Sequence, residues 1–275
     1  MIVIGDEILD AYVHDTNGPW LAERLRHHGI PLSRIHHVRD DPAAIGEALQ
    51  LELARSRPRL VVTSGGVGAT PDDVTYSAVA ASLGRGLVDE PVIQRRIHRS
   101  LAWAEAHGME RSEDFVRHLV RTAQVPDGSR LLDRPGGWVP GVLLDVDGGC
   151  TRDGATILIL PGMPAEFRAL VSDMVEPTIL AGRNEPPHVI ELGHGYPESL
   201  FGPVLEELAL AFPDVRIGSY PGDRTIIRVT GVTASRVKSA ADEVAKAIAE
   251  LEAAPGGAEL GHAWASWQSN GKQVP

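Results

Sequence analysis

The first ninety residues alternate short apolar runs with amphipathic segments, a pattern that is typical of successive strand–helix units. Such units build a parallel sheet, so the sequence predicts an α/β protein. The predicted strands are residues 1–4, 32–38 and 60–64. The predicted helices, one after each strand, are residues 18–28, 42–56 and 73–83. Gly29 and Gly84 follow the first and third of these helices, where a helix C-cap belongs.

The middle of the chain predicts further helices and a second set of strands. Residues 91–122 have a helical pattern that breaks near Gly108. Residues 141–146 and 156–160 are apolar runs on either side of a polar turn, which favours a hairpin. A helix is predicted to follow over residues 165–176.

A second, smaller domain is predicted after a polar linker at residues 182–187, which contains glycine and two prolines. Its predicted order is βαββα, with strands at residues 188–192, 215–219 and 225–230 and helices at residues 197–211 and 234–251. We therefore predict domains at 1–181 and 188–252. Residues 253–275 are rich in small residues and are predicted to be a disordered tail.

Composition narrows the classes of function. The chain has 26 Lys plus Arg against 37 Asp plus Glu, and the net charge of -11 argues against binding to nucleic acid or to an anionic membrane surface. Cys150 is a single cysteine, so no disulfide framework or cysteine-based zinc site is expected. The sequence shows no signal peptide and no apolar run of about 20 residues, so we expect a cytoplasmic protein.

Carboxylate pairs follow all three predicted parallel strands. Asp6 and Glu7 come after the first strand, Asp40 and Asp41 after the second, and a glycine-rich loop ending in an Asp pair, residues 64–73, after the third. Parallel strands place their carboxyl ends at one edge of the sheet, where ligands of such folds bind. We expect the three segments to meet there.

The glycine-rich loop has the chemistry of an anion site. A glycine loop that opens onto a helix presents backbone N–H groups and a positive dipole end, which suits a phosphate. The nearby carboxylates would repel that phosphate unless some of them hold a hard cation such as Mg²⁺. We therefore predict a metal-assisted phosphate site.

Each of these features also has a simpler structural explanation. Asp41 precedes Pro42 at a helix start, which favours a helix N-cap over a metal ligand, and one of Asp72 and Asp73 is expected to be a cap as well. Taken alone, residues 65–68 predict an ordinary turn. The loop lacks the lysine of a Walker phosphate loop, and no G-x-G-x-x-G follows the first strand, so neither nucleotide-binding motif is present.

Five segments of the first domain have to be considered together: residues 5–9, 15–17, 38–41, 65–75 and 160–164. The most specific of them contains the motif GG-x-G-x-T-x-DD-x-T. In order and spacing they resemble the molybdopterin-binding-like domain of the competence/damage-inducible protein A (CinA) family. The resemblance covers residues 1–181 and implies a three-layer αβα domain with a mostly parallel sheet, akin to the MoaB and Mog proteins of molybdenum-cofactor synthesis.

The same family has a KH-type second domain, which residues 188–251 resemble. A KH-type fold does not by itself imply RNA binding, and this segment lacks a G-x-x-G loop with basic flanks. The nicotinamide-nucleotide amidase domain at the C-terminus of full-length family members is not expected in this chain, so amidase activity is not carried over.

The resemblance implies one of two activities for the first domain. One is divalent-metal-dependent hydrolysis of a nucleotide diphosphate bond, in ADP-ribose or FAD, with release of AMP. The other is binding or adenylylation of molybdopterin. We favour the hydrolase, and we expect Mg²⁺, Mn²⁺ or Co²⁺ as the metal, a small nucleotide or pterin ligand, and a homo-oligomer.

Residue roles also follow from the resemblance. Asp73 matches the aspartate that Mog-like enzymes use after their glycine loop, and Asp40 or Asp41 matches the one after strand two, so Asp40 and Asp73 are predicted to be catalytic. The predicted metal ligands are Asp6, Glu7, Asp40, Asp72 and Asp73. The predicted phosphate contacts are Ser64, Gly65, Gly66, Gly68, Thr70, Pro161 and Gly162. Ser64 and Ala69 stand where the family has Thr and Pro, which leaves the backbone donors in place.

Overall fold

The computed structural model describes residues 1–149, 153–222, 224–257, 259 and 261. The chain divides into two compact units, Met1–Arg183 and Asn184–Pro275, and the division falls inside the polar segment 182–187. Among the described residues, none of the helices has the length and apolar character needed to cross a membrane.

The first unit begins with three strand–helix units, as predicted. Strands β1 (Ile2–Ile4), β2 (His36–Val38) and β3 (Arg59–Ser64) alternate with helices α1 (Asp6–Leu9), α2 (Asn17–His27), α3 (Pro42–Leu53) and α4 (Thr75–Ser82). Gly29 and Gly84 follow α2 and α4 with positive φ angles of 65° and 64°, which confirms them as helix-terminating glycines.

The remainder of the first unit supplies more helices and strands. They are β4 (Leu87–Asp89), α5 (Pro91–Ala106), α6 (Glu113–Arg121), β5 (Gln124–Pro126), β6 (Arg130–Leu132), β7 (Gly141–Val146), β8 (Ala155–Leu160), α7 (Pro164–Leu170) and a π-helix (Val171–Leu180). In the described part of the unit, six strands form one sheet in the order β2-β1-β3-β8-β7-β6. The pairs β1–β2, β1–β3 and β3–β8 are parallel, and β7 pairs antiparallel with β8 as the predicted hairpin.

Helices cover both faces of this sheet, which confirms the α/β class and the mostly parallel sheet. Strand β8 is buried along its whole length, and its side chains alternate between two apolar cores. Ile157 and Ile159 pack in the core that also contains residues of α3, α4 and α5. Leu158 and Leu160 pack in the core that contains residues of α2, α7 and the π-helix.

Several boundaries differ from the sequence-based prediction. The second strand begins at His36 rather than at residue 32, because residues 31–35 form no ladder with β1. The predicted helix 165–176 becomes α7 followed by the π-helix, which contains Pro177. Helix α1 and the three-residue strands β4, β5 and β6 were not predicted, since elements this short carry too little periodicity to be detected.

The second unit has the predicted βαββα order. Its elements are β9 (His188–His194), a short 3₁₀ helix (Glu198–Phe201), α8 (Gly202–Ala211), β10 (Val215–Tyr220), β11 (Thr225–Gly231) and α9 (Ala234–Ala253). The described strands form an antiparallel sheet in the order β10-β11-β9. The KH-type assignment stays a prediction, and most of the predicted tail, 253–275, lies outside the described residues.

Candidate functional site

The carboxyl ends of the first two strands meet, as expected from β1 and β2 being parallel neighbours. The backbone nitrogen of Asp6 donates to Oδ2 of Asp40 at 2.9 Å, and the nitrogen of Asp40 donates to Oδ1 of Asp6 at 3.3 Å. Asp41 instead accepts a hydrogen bond from the Ala44 nitrogen at 2.8 Å and caps α3, with Pro42 in its first turn. The expectation that Asp41 is a helix cap is therefore confirmed.

Asp40 lies among other carboxylates, and its ionisation is disfavoured. Burial raises the pKa of the half-buried Asp40 carboxyl, a hydrogen bond from the Asp6 nitrogen partly offsets this, and the negative charges of Glu7, Asp6 and Asp72 raise the pKa further. Asp72 follows the third strand, so all three predicted strand ends contribute charge at this position. We call Asp6, Glu7, Asp40 and Asp72 the acidic cluster.

The acidic cluster has the charge but only part of the ligand set of a metal site. Among the described residues, no three or more His, Cys, Asp or Glu side chains are grouped so that they could hold a metal ion. Mg²⁺ usually keeps several waters and takes only one or two carboxylates together with substrate phosphates. Asp6, which is hydrogen-bonded to Asp40, fits that pattern and would hold the cation.

The glycine loop, residues 65–70, follows β3 and is shaped by positive φ angles of 111° at Gly65 and 65° at Gly66. A Cβ on Gly65 would lie 2.1 Å from the carbonyl oxygen of Ile4, and a Cβ on Gly66 would lie 2.3 Å from Oγ1 of Thr75. The Thr75 hydroxyl is buried and donates to the Gly65 carbonyl at 2.8 Å. Only glycine fits at these two positions, because a side chain would meet both strain and a steric clash.

Asp73 holds the far side of this loop. Its Oδ1 accepts from the Gly68 nitrogen at 2.6 Å, and its Oδ2 accepts from the nitrogen and hydroxyl of Thr70 at 2.8 and 2.5 Å. Helix α4 starts only at Thr75, and its N-cap residue, Val74, offers no side-chain hydrogen bond. The expectation that one of the Asp pair caps this helix is therefore wrong: Asp73 caps the loop before it.

These bonds change which backbone groups are available to an anion. The nitrogens of Gly68 and Thr70, two predicted phosphate donors, already donate to Asp73, and the Gly65 nitrogen donates to the carbonyl of Leu160 at 3.2 Å. Within the described part of the chain, the nitrogens of Gly66, Val67 and Ala69 donate to no protein acceptor. Successive free N–H groups in a glycine turn form an anion-binding concavity.

Ser64, Pro161 and Gly162 form the base of the loop, and a residue that sequence reasoning missed joins them. The buried Asn17 donates from Nδ2 to Oγ of Ser64 at 3.0 Å and to the carbonyl of Gly162 at 2.9 Å. A Cβ on Gly162 would lie 3.2 Å from the Cα of Gly65, so the two turns pack closely. Asn17 belongs to one of the segments that carry the family resemblance, residues 15–17, but nothing in the sequence indicates its distant partners.

Two small cavities lie beside the glycine loop. One, of about 70 Å³, is lined by the loop, Asp73, and the predominantly polar side chains of Ser77, His118, Arg121 and Gln124. The other, of about 90 Å³, is more apolar and is lined by Tyr76, Ile93, Ile97, Leu119 and Trp138. Tyr76 and Ser77 lie on α4, just after the glycine loop. The other residues lie on α5, α6, β5 and the loop before β7, and sequence reasoning missed them because they are far from the glycine loop along the chain.

Fold and site define a class: a three-layer α/β domain whose glycine loop and acidic strand ends share the carboxyl edge of the sheet. Residues 1–181 match the family described as "probable molybdopterin binding domain", and the chain belongs to that family. The first unit is a CinA-type member, which confirms the resemblance seen in the sequence.

Proteins of similar sequence and one solved structure match most of this chain. A protein from Aeropyrum pernix is 32% identical over 91% of each chain. A CinA-like protein from Mycobacterium sp. is 36% identical over 72% of this chain, but this chain covers only 46% of that protein. The crystal structure of a CinA of unknown function from Thermoplasma acidophilum is 30% identical over 65% of this chain and 95% of that chain, with a TM-score of 0.53.

Proposed function

We propose that the glycine loop binds a phosphate of a nucleotide or pterin and that, for ADP-ribose or FAD-like dinucleotides, the site hydrolyses the diphosphate and releases AMP. The main support is that the nitrogens of Gly66, Val67 and Ala69 donate to no acceptor among the described residues, at the edge of the sheet that also carries the Asp6–Asp40 pair. Backbone N–H groups are suited to phosphate, and carboxylates beside them are suited to a divalent cation.

The proposed chemistry assigns separate tasks to the two predicted catalytic aspartates. Asp40 is half-buried, and its raised pKa makes it a better proton acceptor than an ordinary carboxylate. Oδ1 of Asp40 accepts no hydrogen bond from the described residues, and we assign to it the proton of the water that attacks phosphorus. The P–O bond to the second phosphate breaks, and AMP and the other phosphate monoester leave. Asp73 keeps the loop amides in place. A bound divalent metal would supply charge neutralisation and an activated water.

A second candidate, capture of a pterin or nucleotide without hydrolysis, is favoured by a specific observation. Both oxygens of Asp73 are already engaged by the loop, which leaves fewer free carboxylates than the five predicted metal ligands. A site of this kind, with or without adenylylation of its ligand, would agree with the family description.

An assay for AMP separates the two candidates. Purified protein is incubated with ADP-ribose, FAD, NADH or coenzyme A in Mg²⁺, Mn²⁺ or Co²⁺, and nucleotides are separated by chromatography. The hydrolase predicts AMP from ADP-ribose or FAD and a loss of at least 100-fold, on the order of the usual contribution of acid–base catalysis, for Asp40→Asn. Asp41→Asn is the matched control, because asparagine also caps a helix and the rate should not change.

Binding without AMP in any metal would support capture, and an active Asp40→Asn would reject the role given to Asp40. Self-association is a further proposal, carried only by the resemblance to the CinA family. Light scattering coupled to size-exclusion chromatography tests it directly.

A further inference from the structure

The cavities beside the glycine loop have a larger cavity as a neighbour. The 90 Å³ cavity shares Val67, Gly68, Ala69, Tyr76 and Thr122 with the 70 Å³ cavity at the loop. It also shares Arg96 and Trp138 with a third cavity of about 550 Å³. The shared residues make the three cavities neighbours, and the outer one is large enough for a small ligand.

We call this outer cavity the tryptophan cleft. It lies between α5 and the loop before β7, and it is lined by Arg96, Arg99, Ser100, Trp103, Gly136, Gly137 and Trp138. Trp138 is 49% exposed and Trp103 is 59% exposed. A large aromatic side chain that is left this open in a cavity provides a flat surface for stacking.

The loop that carries Trp138 is held in a defined position. Arg96 donates to Oδ1 of Asp133 at 2.5 Å and to the carbonyl of Trp138 at 3.4 Å, so it ties the loop to α5. Gly136 turns the loop with a φ of 77°, and a Cβ built on it would meet nothing within 4 Å. The cleft next to Trp138 therefore stays free of side chains at this turn.

The cleft contains two arginines of α5, Arg96 and Arg99, in a chain whose net charge is -11. Arg96 is already paired with the carboxylate of Asp133. Arg99 is exposed, and among the described residues it forms no salt bridge with a carboxylate; its Nε donates only to the carbonyl of Arg95 at 3.4 Å. A guanidinium in this state is available for a ligand phosphate or for stacking on a ring.

We propose that the tryptophan cleft binds the planar heteroaromatic end of the ligand whose phosphate lies at the glycine loop, with Trp138 stacking on the ring and Arg99 contacting the polar groups next to it. This inference rests on the proposed phosphate site but not on hydrolysis. A ligand that fills both the glycine loop and the cleft needs a ring and a diphosphate, as a dinucleotide has. A compact monophosphate would fill only the inner cavities.

Titration of the whole chain with FAD, once in EDTA and once in Mg²⁺ with AMP followed by chromatography, tests the proposal. The EDTA series keeps the metal-dependent reaction silent, and the Mg²⁺ series keeps the cation that offsets the carboxylates. Fluorescence and calorimetry give the Kd for wild type, Trp138→Ala and Trp138→Phe. Stacking on an aromatic side chain predicts about 10-fold weaker binding for Trp138→Ala, and Trp138→Phe should restore most of it because a ring remains. Phe115→Ala, an exposed aromatic outside the cleft, is the control and should bind like wild type.

Failure of this inference is distinguishable from failure of the proposed function. FAD binding that depends on Trp138 without AMP release in metal would retain the ring site and reject hydrolysis. An unchanged Kd for Trp138→Ala, or wild type that binds FAD neither in EDTA nor in Mg²⁺, would overturn the ring site. So would a change in oligomeric state for the folded Trp138→Ala variant, because the cleft would then be a contact between copies of the chain.

Discussion

Oδ1 of Asp73 accepts a hydrogen bond from the backbone nitrogen of Gly68 at 2.6 Å, across the mouth of the glycine loop. The same carboxylate also binds the nitrogen and hydroxyl of Thr70, so one side chain fixes the second half of the loop. The loop in turn leaves Gly66, Val67 and Ala69 nitrogens without a protein partner in the described part of the chain. Asp73 therefore shapes the proposed anion site, whatever further role it has.

Replacing Asp73 should weaken both the fold and the site. Asp73→Ala removes the acceptor for two loop nitrogens, and we expect a loss of about 1–3 kcal/mol in the free energy of unfolding. Urea unfolding measures this loss, and titration with ADP-ribose should show weaker binding. Asp72→Ala is the control, because Asp72 is exposed and should leave stability unchanged within about 0.5 kcal/mol. Equal losses in the two variants would show that the loop does not depend on Asp73.

A methyl group at Gly65 should be far more damaging than one at Gly84. Both glycines have positive φ, but a Cβ on Gly65 would lie 2.1 Å from the backbone oxygen of Ile4, whereas a Cβ on Gly84 would meet nothing within 4 Å. We expect Gly84→Ala to cost about 1 kcal/mol, the usual strain of the left-handed region. Gly65→Ala should cost about 3 kcal/mol. Thermal unfolding of both variants checks the difference, and similar melting temperatures would contradict the described loop.

The raised pKa of Asp40 predicts a pH-dependent gain in stability for Asp40→Asn. Because the folded state raises this pKa, the folded protein binds the Asp40 proton more tightly than the unfolded chain, and stability is lost as pH rises through the folded pKa. Asparagine removes that penalty, so the variant should have a higher Tm at pH 7 and no advantage below the ordinary aspartate pKa of about 4.

The control for this effect lies next in sequence. Asp41→Asn keeps the α3 cap, and Asp41 is not among the charges that raise the pKa of Asp40. The Tm of Asp41→Asn should equal that of wild type from about pH 4 to about pH 7. This range begins at the ordinary carboxylate pKa of about 4, where the gain of Asp40→Asn should begin. A gain of the same size in Asp41→Asn would indicate general relief of negative charge rather than a property of Asp40.

The hydroxyl group of Thr75 should contribute to the stability of the folded protein through its hydrogen bond. Thr75→Val keeps the volume but removes the donor to the Gly65 carbonyl, which leaves a buried acceptor unsatisfied. We expect a loss of about 1–3 kcal/mol in urea unfolding. Ser77→Ala removes a comparable bond to a backbone carbonyl, at 2.8 Å, on the exposed side of the same helix and should have little effect. A silent Thr75→Val would show that the loop does not need this bond.

The sequence alone determined those features whose cause is local. The continuous apolar runs of β3 and β8 predict strands that are buried on both faces, and Asp41 before Pro42 predicts a capped helix start. The glycine loop and the acidic strand ends could be placed together because parallel strands end at the same edge of a sheet. Each of these inferences uses neighbours in sequence or a general rule of topology.

Only the tertiary structure decided which groups of the site are free and which are already used. Asp73 binds the loop, through Gly68 and Thr70, and not the helix, and the sequence pattern allowed either. Asn17 meets partners 47 and 145 residues away, and Trp138 lines the same cavity as the glycine loop. Contacts of this kind arise from strand order and helix packing, whose free energy is summed over the whole core rather than encoded in any one segment.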